Sequence, residues 1–422
     1  MSKLALFGGS PSIKHKFNPW NTLDEREAQA CNRVIKSGVL SGFVGAWVDA
    51  FEGGPEVRQF EKNWASFFKT KHAISVNSAT SGLYAAMGAI GLNPGDEVIV
   101  PPLTMSATAT APLIYGGIPV FADIDPVSFT LDIKSVKTKL SSRTKAVLAV
   151  NLFGHPAHLD ELKTLCLENK ISLIEDNAQA PGARINHKFT GTIGDIGVFS
   201  LNCHKHIQTG EGGILTTDSD ELASRLKLIR NHAEAVVAGK NERNLVNMVG
   251  WNYRMTELEA AVGNVQLEKL PDILSKKRSQ AHRLHKLLDD LKGLTLPIEA
   301  KSVESVYYTY ALKINAAELG ITKARLCEAL SAEGVPVVSS YVKPLYLAPL
   351  FAKKVAFGFE GYPFNLQPDR HYRMGDCPQA EKIQAYELFY IPWCSFSFSD
   401  EDIDLISQGF HKVWSSLNEL KK

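Results

Sequence analysis

From about residue 70 to residue 235 the chain repeats one alternation, a short Val- and Ile-rich run followed by a helical stretch. "HAISV" precedes "NSATSG" and an Ala-rich "LYAAMGAI". "DEVIV" ends at Pro101-Pro102, and "IPVFADI" and "KAVLAVNLFG" follow. A helical "HLDELKTLCLENK" then separates these from "ISLIED", "IGVFSLN" and "GGILTTD". Short runs this apolar are expected of strands buried on both faces. Their alternation with helices predicts an α/β fold, a mostly parallel sheet with helices on both sides.

From "TELEAAVGNVQLEKL" the pattern changes. Helical periodicity runs to about Asp290, followed by a strand-like "VYYTYALKI", a helical "TKARLCEALSAEG" and "VPVVSSYV". This predicts a large domain over residues 1–270 and a smaller α+β domain over 271–422. Two aromatic, Gly-rich segments, Phe43–Gly54 and Ala356–Asp376, read equally as flaps over a site or as packed surface loops.

Composition narrows the function. The formal net charge is +1, without the basic surplus of a nucleic-acid binder. The densest basic run, "KKRSQAHRLHK" from Lys276, reads as a solvated helix face. No apolar run approaches the roughly 20 residues of a membrane span. The opening "MSKLALFGGSPSIKHKF" is too short in apolar residues for a signal peptide, so a cytoplasmic location is expected. None of the six cysteines forms a CxxC pair, which gives zinc or a redox pair no support.

In an open α/β sheet, ligands bind beyond the carboxyl ends of the strands. Three strand ends carry suitable groups. After "AISV", the residues Ala79, Thr80 and Ser81 open a helix whose first N–H groups suit a phosphate. The same residues also fit ordinary helix capping. "LIED" ends in Asp176, with Gln179 three residues on. A carboxylate there needs a cationic partner, water, or a helix to cap. "IGVFS" ends in Ser200, and "NCHKHIQTGEGG" then carries Lys205 between His204 and His206. A lysine amine is a nucleophile only when desolvated or placed near another cation. The two histidines lack a third ligand for a metal. Taken together, a phosphate cradle, an acid and an amine are the three needs of pyridoxal phosphate (PLP): donors for its phosphate, an acid for its ring nitrogen, and a lysine for its aldehyde.

"EDNAQAPGA", "FSLNCHKHIQTGEGG", "NHAEAV" and "GWNYRMTELEAAVG" resemble the DegT/StrS family of PLP-dependent sugar aminotransferases. "GGPEVRQFEKNWASFF" and "CPQAEK" extend the resemblance over nearly the whole chain. It implies fold type I, the aspartate aminotransferase architecture, working as a homodimer. It implies that Lys205 forms the Schiff base, that Asp176 pairs with the pyridine nitrogen, and that Gln179 lies near the phenolic oxygen. Thr80, Ser200 and the N–H of Ala79 would hold the phosphate, and Asn252 would reach the phosphate bound in the neighbouring subunit. Two positions depart from the family pattern. Met105 stands where an aromatic residue usually stacks on the cofactor, and Ala79-Thr80 replaces a common Gly-Thr.

The implied reaction is amino transfer from glutamate or glutamine to a keto sugar, first of all a nucleotide-linked keto-deoxyhexose. "LALFGGSP" resembles members acting on keto cyclitols, which is the runner-up. Sugar dehydratases of the family carry histidine at the lysine position, so Lys205 favours transamination. A non-catalytic PLP-binding regulator is the remaining alternative, and the intact Lys205, Asp176 and Gln179 argue against it.

Overall fold

The alternating segments form one seven-stranded sheet: β1 (His72–Val76), β2 (Glu97–Val100), β3 (Ile118–Phe121), β4 (Thr144–Val150), β5 (Ser172–Asp176), β6 (Ile196–Ser200) and β7 (Gly213–Thr217). This is seen in a computed structural model that describes residues 3–421. The strand order is β1-β7-β6-β5-β4-β2-β3. Only β7 runs against its neighbours, β1 and β6. The other pairings are parallel, as the α/β reading requires.

Every residue of β2, β3, β6 and β7 is buried, because helices cover both faces. Side chains alternate between the faces. Val98, Val100, Leu148 and Ile174 join the core under the helices Ala79–Ala89 and Asp220–Arg230. Ile99, Val147 and Leu173 join a second core with the helix Leu159–Asn169. This two-sided burial is why the strands read as continuous apolar runs.

The helix Glu257–Leu288 runs for 32 residues, about 48 Å at 1.5 Å per residue. Thr256 and Glu259 close a capping box at its start. Residue 270, the expected domain boundary, falls inside this helix. Beyond it, β8 (Leu294–Thr295), β9 (Tyr310–Ile314) and β10 (Leu388–Ile391) form an antiparallel sheet, order β8-β9-β10. A third small sheet pairs residues 184–185 with 188–189 and 303–304.

The helices Lys323–Ala332 and Asp400–Ser415 pack on β9 and β10 through Leu326, Leu330, Ile403 and Phe410. Leu4 and Ile13 enter the same core. Buried Glu333 holds them there, accepting from the backbone N–H of Ala5 at 2.8 Å and of Ser12 at 2.9 Å. The N-terminal arm thus packs with the C-terminal unit, although it belongs to the large domain by sequence order.

Two readings change on contact with the structure. "VPVVSSYV" forms no strand, only an isolated pairing of Val338 with Tyr390. The basic run is not wholly solvated. Lys277 is buried and donates to the carbonyls of Trp393 at 2.6 Å and Phe396 at 3.0 Å. Each aromatic segment is packed in part: Phe51 is buried in the first and Phe364 and Tyr372 of the second cluster with Phe351, while Val44, Trp47, Val48, Phe357 and Phe359 stay exposed.

Candidate active site

A cavity of about 410 Å³ opens at the carboxyl ends of β1, β5 and β6. Ala79, Thr80, Asp176, Gln179, Ser200 and Lys205 all line it. A larger hollow of about 1150 Å³, beside the long helix, contains none of them.

The phosphate end is built from backbone. Ser78 caps the helix Ala79–Ala89 and its hydroxyl accepts from the N–H of Ser81. The N–H groups of Ala79 and Thr80, in the first turn, have no acceptor within the helix. They sit at its positive end. Gly213 of β7 passes so close that a Cβ there would lie 2.6 Å from the backbone nitrogen of Ala79. A side chain at that position would push into the cradle. Ser200, the last residue of β6, adds a hydroxyl.

The acid end uses the alternation of β5. Glu175 points away from the cavity and is buried, accepting from the N–H groups of Gly191, Ile193 and Gly194. Asp176 points in. Its Oδ2 accepts from the Thr108 hydroxyl at 2.8 Å and its Oδ1 from the N–H of Ala178 at 3.2 Å. No helix follows for it to cap. Burial pushes its carboxyl above the ordinary value, while Thr108, Ala178 and nearby Lys205 pull the other way. Gln179 is fixed at both ends. Its Oε1 accepts from the N–H of Phe153 at 2.8 Å, and its Nε2 donates to the Tyr341 hydroxyl at 3.2 Å.

Lys205 lies in a tight return between β6 and β7. The loop is closed by Lys205 N–H to the Asn202 carbonyl at 3.0 Å and Cys203 N–H to the Gly210 carbonyl at 2.9 Å. Its Nζ stands 4.6 Å from the Tyr308 ring centroid. Burial lowers its amine pKa, and the Asp176 charge opposes that. The Lys205 carbonyl accepts from the Trp20 indole at 3.2 Å. His206 is fully buried and bonded through Nε2 to the Val306 carbonyl at 2.8 Å. Desolvation drops its pKa to about 3, so it is neutral and packs beside the lysine. His204 is exposed at the cavity wall. Among the described residues no group of three His, Cys, Asp or Glu is placed to hold a metal.

Asn252 is exposed and does not line the cavity of its own chain. It pairs with Asn231, and its carbonyl accepts from Asn77 at 3.4 Å, just before the helix start. Met105 lines the cavity and is 61% exposed, free to cover a ring face. Thr108, Tyr308 and Tyr341 join the site without having been expected from the sequence. For Thr108 a signal existed: Thr104 and Thr108 are one helical turn apart in "TMSAT", and their hydroxyls lie 3.2 Å apart. The two tyrosines come from distant chain with no local pattern.

The donor set fits PLP, with free N–H groups, an acid and a desolvated amine in one cavity. Residues 21–360 match the family model described as the DegT/DnrJ/EryC1/StrS aminotransferase family. The chain belongs to this family. It is a PLP-dependent aminotransferase of fold type I. A GDP-perosamine synthase of Vibrio cholerae is 37% identical over 291 residues, 69% of this chain and 74% of that protein. The aminotransferase from Psychrobacter cryohalolentis superposes with a TM-score of 0.82 at 27% identity, over 96% of this chain and 100% of that one. DesI, solved in the presence of its TDP-sugar product, superposes at 0.81 with 27% identity, over 99% of this chain and 97% of that one.

Proposed function

We propose that this aminotransferase moves an amino group from glutamate or glutamine to a nucleotide-linked keto sugar, in amino-sugar biosynthesis. The convergence of Lys205, Asp176 and the free helix start in one cavity carries the catalytic part of this reading. The GDP-sugar and TDP-sugar named for two relatives support the substrate class.

When bound, PLP supplies a carbonyl for amine exchange and a ring that accepts an electron pair. The N–H groups of Ala79 and Thr80, with the hydroxyls of Thr80 and Ser200, hold its phosphate. Asp176 keeps the ring nitrogen protonated, itself held by Thr108. Gln179 would lie near the phenolic oxygen. Lys205 Nζ would hold the cofactor covalently through its aldehyde. The same Nζ, when not bonded, would be the base that carries the proton of the donor's alpha carbon, work that typically supplies 10²–10⁴-fold. The same groups act in reverse on the acceptor.

The working unit is a homodimer in which Asn252 completes the partner's phosphate site. An apolar band flanks Asn252: Val44, Trp47 and Val48 on one loop, Leu245, Val249 and Trp251 on another, all exposed. Asn231 ties the loops together through the Val44 carbonyl at 3.0 Å. A patch of this kind marks an interaction surface. Residues 1–270 form the cofactor domain and 271–422 the smaller one, with the long helix shared. The enzyme is cytoplasmic, in keeping with six free cysteines.

Borohydride reduction of the PLP-loaded protein, followed by peptide mapping, tests the anchor. The label is expected on Lys205, and label elsewhere overturns the assignment. Mixing inactive Lys205→Ala and Asn252→Ala chains tests the shared site. Dimers carrying one of each should regain activity through one intact site, and no recovery would refute the sharing.

A further inference from the structure

Gln179 belongs to a closed network that reaches from the sheet into the C-terminal unit. Its amide orientation is set by the Phe153 N–H, which can only donate and therefore takes Oε1. The nitrogen end is left for the cavity side, and one of its two hydrogens goes to the Tyr341 hydroxyl. Phe153 also meets Tyr341 directly, ring to ring, at 5.0 Å and 75°. Phe153 has φ of +59°, a left-handed conformation that is costly for a bulky residue. That backbone geometry delivers the N–H to Gln179 and the ring to Tyr341 at once.

Tyr341 comes from the segment that failed to form a strand. Reciprocal bonds between Val338 and Tyr390, at 2.8 and 3.0 Å, attach that segment to β10. The Tyr341 ring also packs edge-on against Tyr390, centroids 6.1 Å apart. Gln384 donates to the neighbouring Ser340 hydroxyl at 2.8 Å. The C-terminal unit thus places one hydroxyl on the cavity wall, against the amide that faces the cofactor.

We infer that Tyr341 is a positioning residue that acts through Gln179, holding its amide so that a single N–H is presented to the bound cofactor. This rests on the reading that Gln179 faces the cofactor. The consequence is physical coupling: the C-terminal unit sets the electronic environment of a cofactor held by the sheet.

The experiment uses full-length protein with PLP and compares Tyr341→Phe, Gln179→Ala and the double variant. Two quantities are read, the PLP dissociation constant and the visible absorption band of the bound cofactor. Apoprotein melting checks the fold. Tyr341→Phe should shift the band and weaken PLP about threefold to tenfold, the worth of one hydrogen bond. In the Gln179→Ala background it should do nothing further, because residues acting through one contact are not additive. An equal effect in both backgrounds, or none in either, overturns the inference. If Gln179→Ala itself changes neither quantity, the Gln179 reading has failed instead. Gln179→Glu is a second probe, isosteric but without the N–H, and should move the band in the same direction as Tyr341→Phe. An unmoved band there also counts against the inference.

Discussion

The Thr108 hydroxyl donates to Asp176 Oδ2 at 2.8 Å, and among the described residues it is the only side chain that donates to this carboxylate. An acid so buried, with so few partners, is costly for the empty protein and suited to a cationic ring nitrogen. The folded carboxyl titrates above its ordinary value of 3.8. The folded state therefore binds more protons than the unfolded state between the two values. The contribution of Asp176 to apoprotein stability should fall as pH rises through that window. Asp176→Asn should lessen the fall and raise the neutral-pH melting temperature of the apoprotein, while lowering kcat at least about a hundredfold; Glu175 and Glu257, also raised by burial, keep the remainder. Thermal melts from pH 4 to 8, with steady-state rates, check both outcomes.

Gly213→Ala places a methyl where the backbone of β7 passes Ala79. A contact of 2.6 Å to a backbone nitrogen cannot be absorbed by a flexible side chain. PLP affinity should fall about tenfold or more, with a smaller change in apoprotein stability. Equilibrium titration with PLP reads the first and denaturant melts the second.

His206 titrates near 3 in the folded protein and near 6.5 when unfolded. Its contribution is present above about pH 6.5 and is lost as pH falls toward 3, at up to about 1.4 kcal/mol per pH unit. Replacing it by Gln should flatten the stability profile between pH 6 and 4. It should leave the pH dependence of kcat/KM near neutrality unchanged, because the ring does not ionise there.

Fully buried Arg230 and largely buried Glu61 form an ion pair between the helices Asp220–Arg230 and Pro55–Phe68, under the Phe43 ring. Arg230→Met strands the Glu61 charge and should cost about 3–5 kcal/mol in urea unfolding. Adding Glu61→Gln should recover a large part of that loss.

The sheet was legible because both its faces are covered. β2, β6 and β7 carry short apolar runs, and their ends could be read for chemistry. Lys205, Asp176 and the helix start were legible for the same reason, since topology puts strand ends together. Thr108, Tyr308 and Tyr341 were not. Thr108 acts from behind Asp176 and its only trace is the spacing to Thr104, while Tyr308 and Tyr341 reach the cavity from distant chain whose own pattern carries no sign of it. Lys277 was misread because its charge is satisfied by two carbonyls from residues more than a hundred positions away.

The backbone around the reactive lysine is gripped from both ends of the polypeptide: the Trp20 indole holds the Lys205 carbonyl, and the Val306 carbonyl holds His206. During synthesis the whole sheet is complete once residue 217 has emerged, yet one half of this grip arrives about ninety residues later. A truncation that spares the sheet but ends before residue 306 therefore takes away the carbonyl that holds His206 beside the lysine.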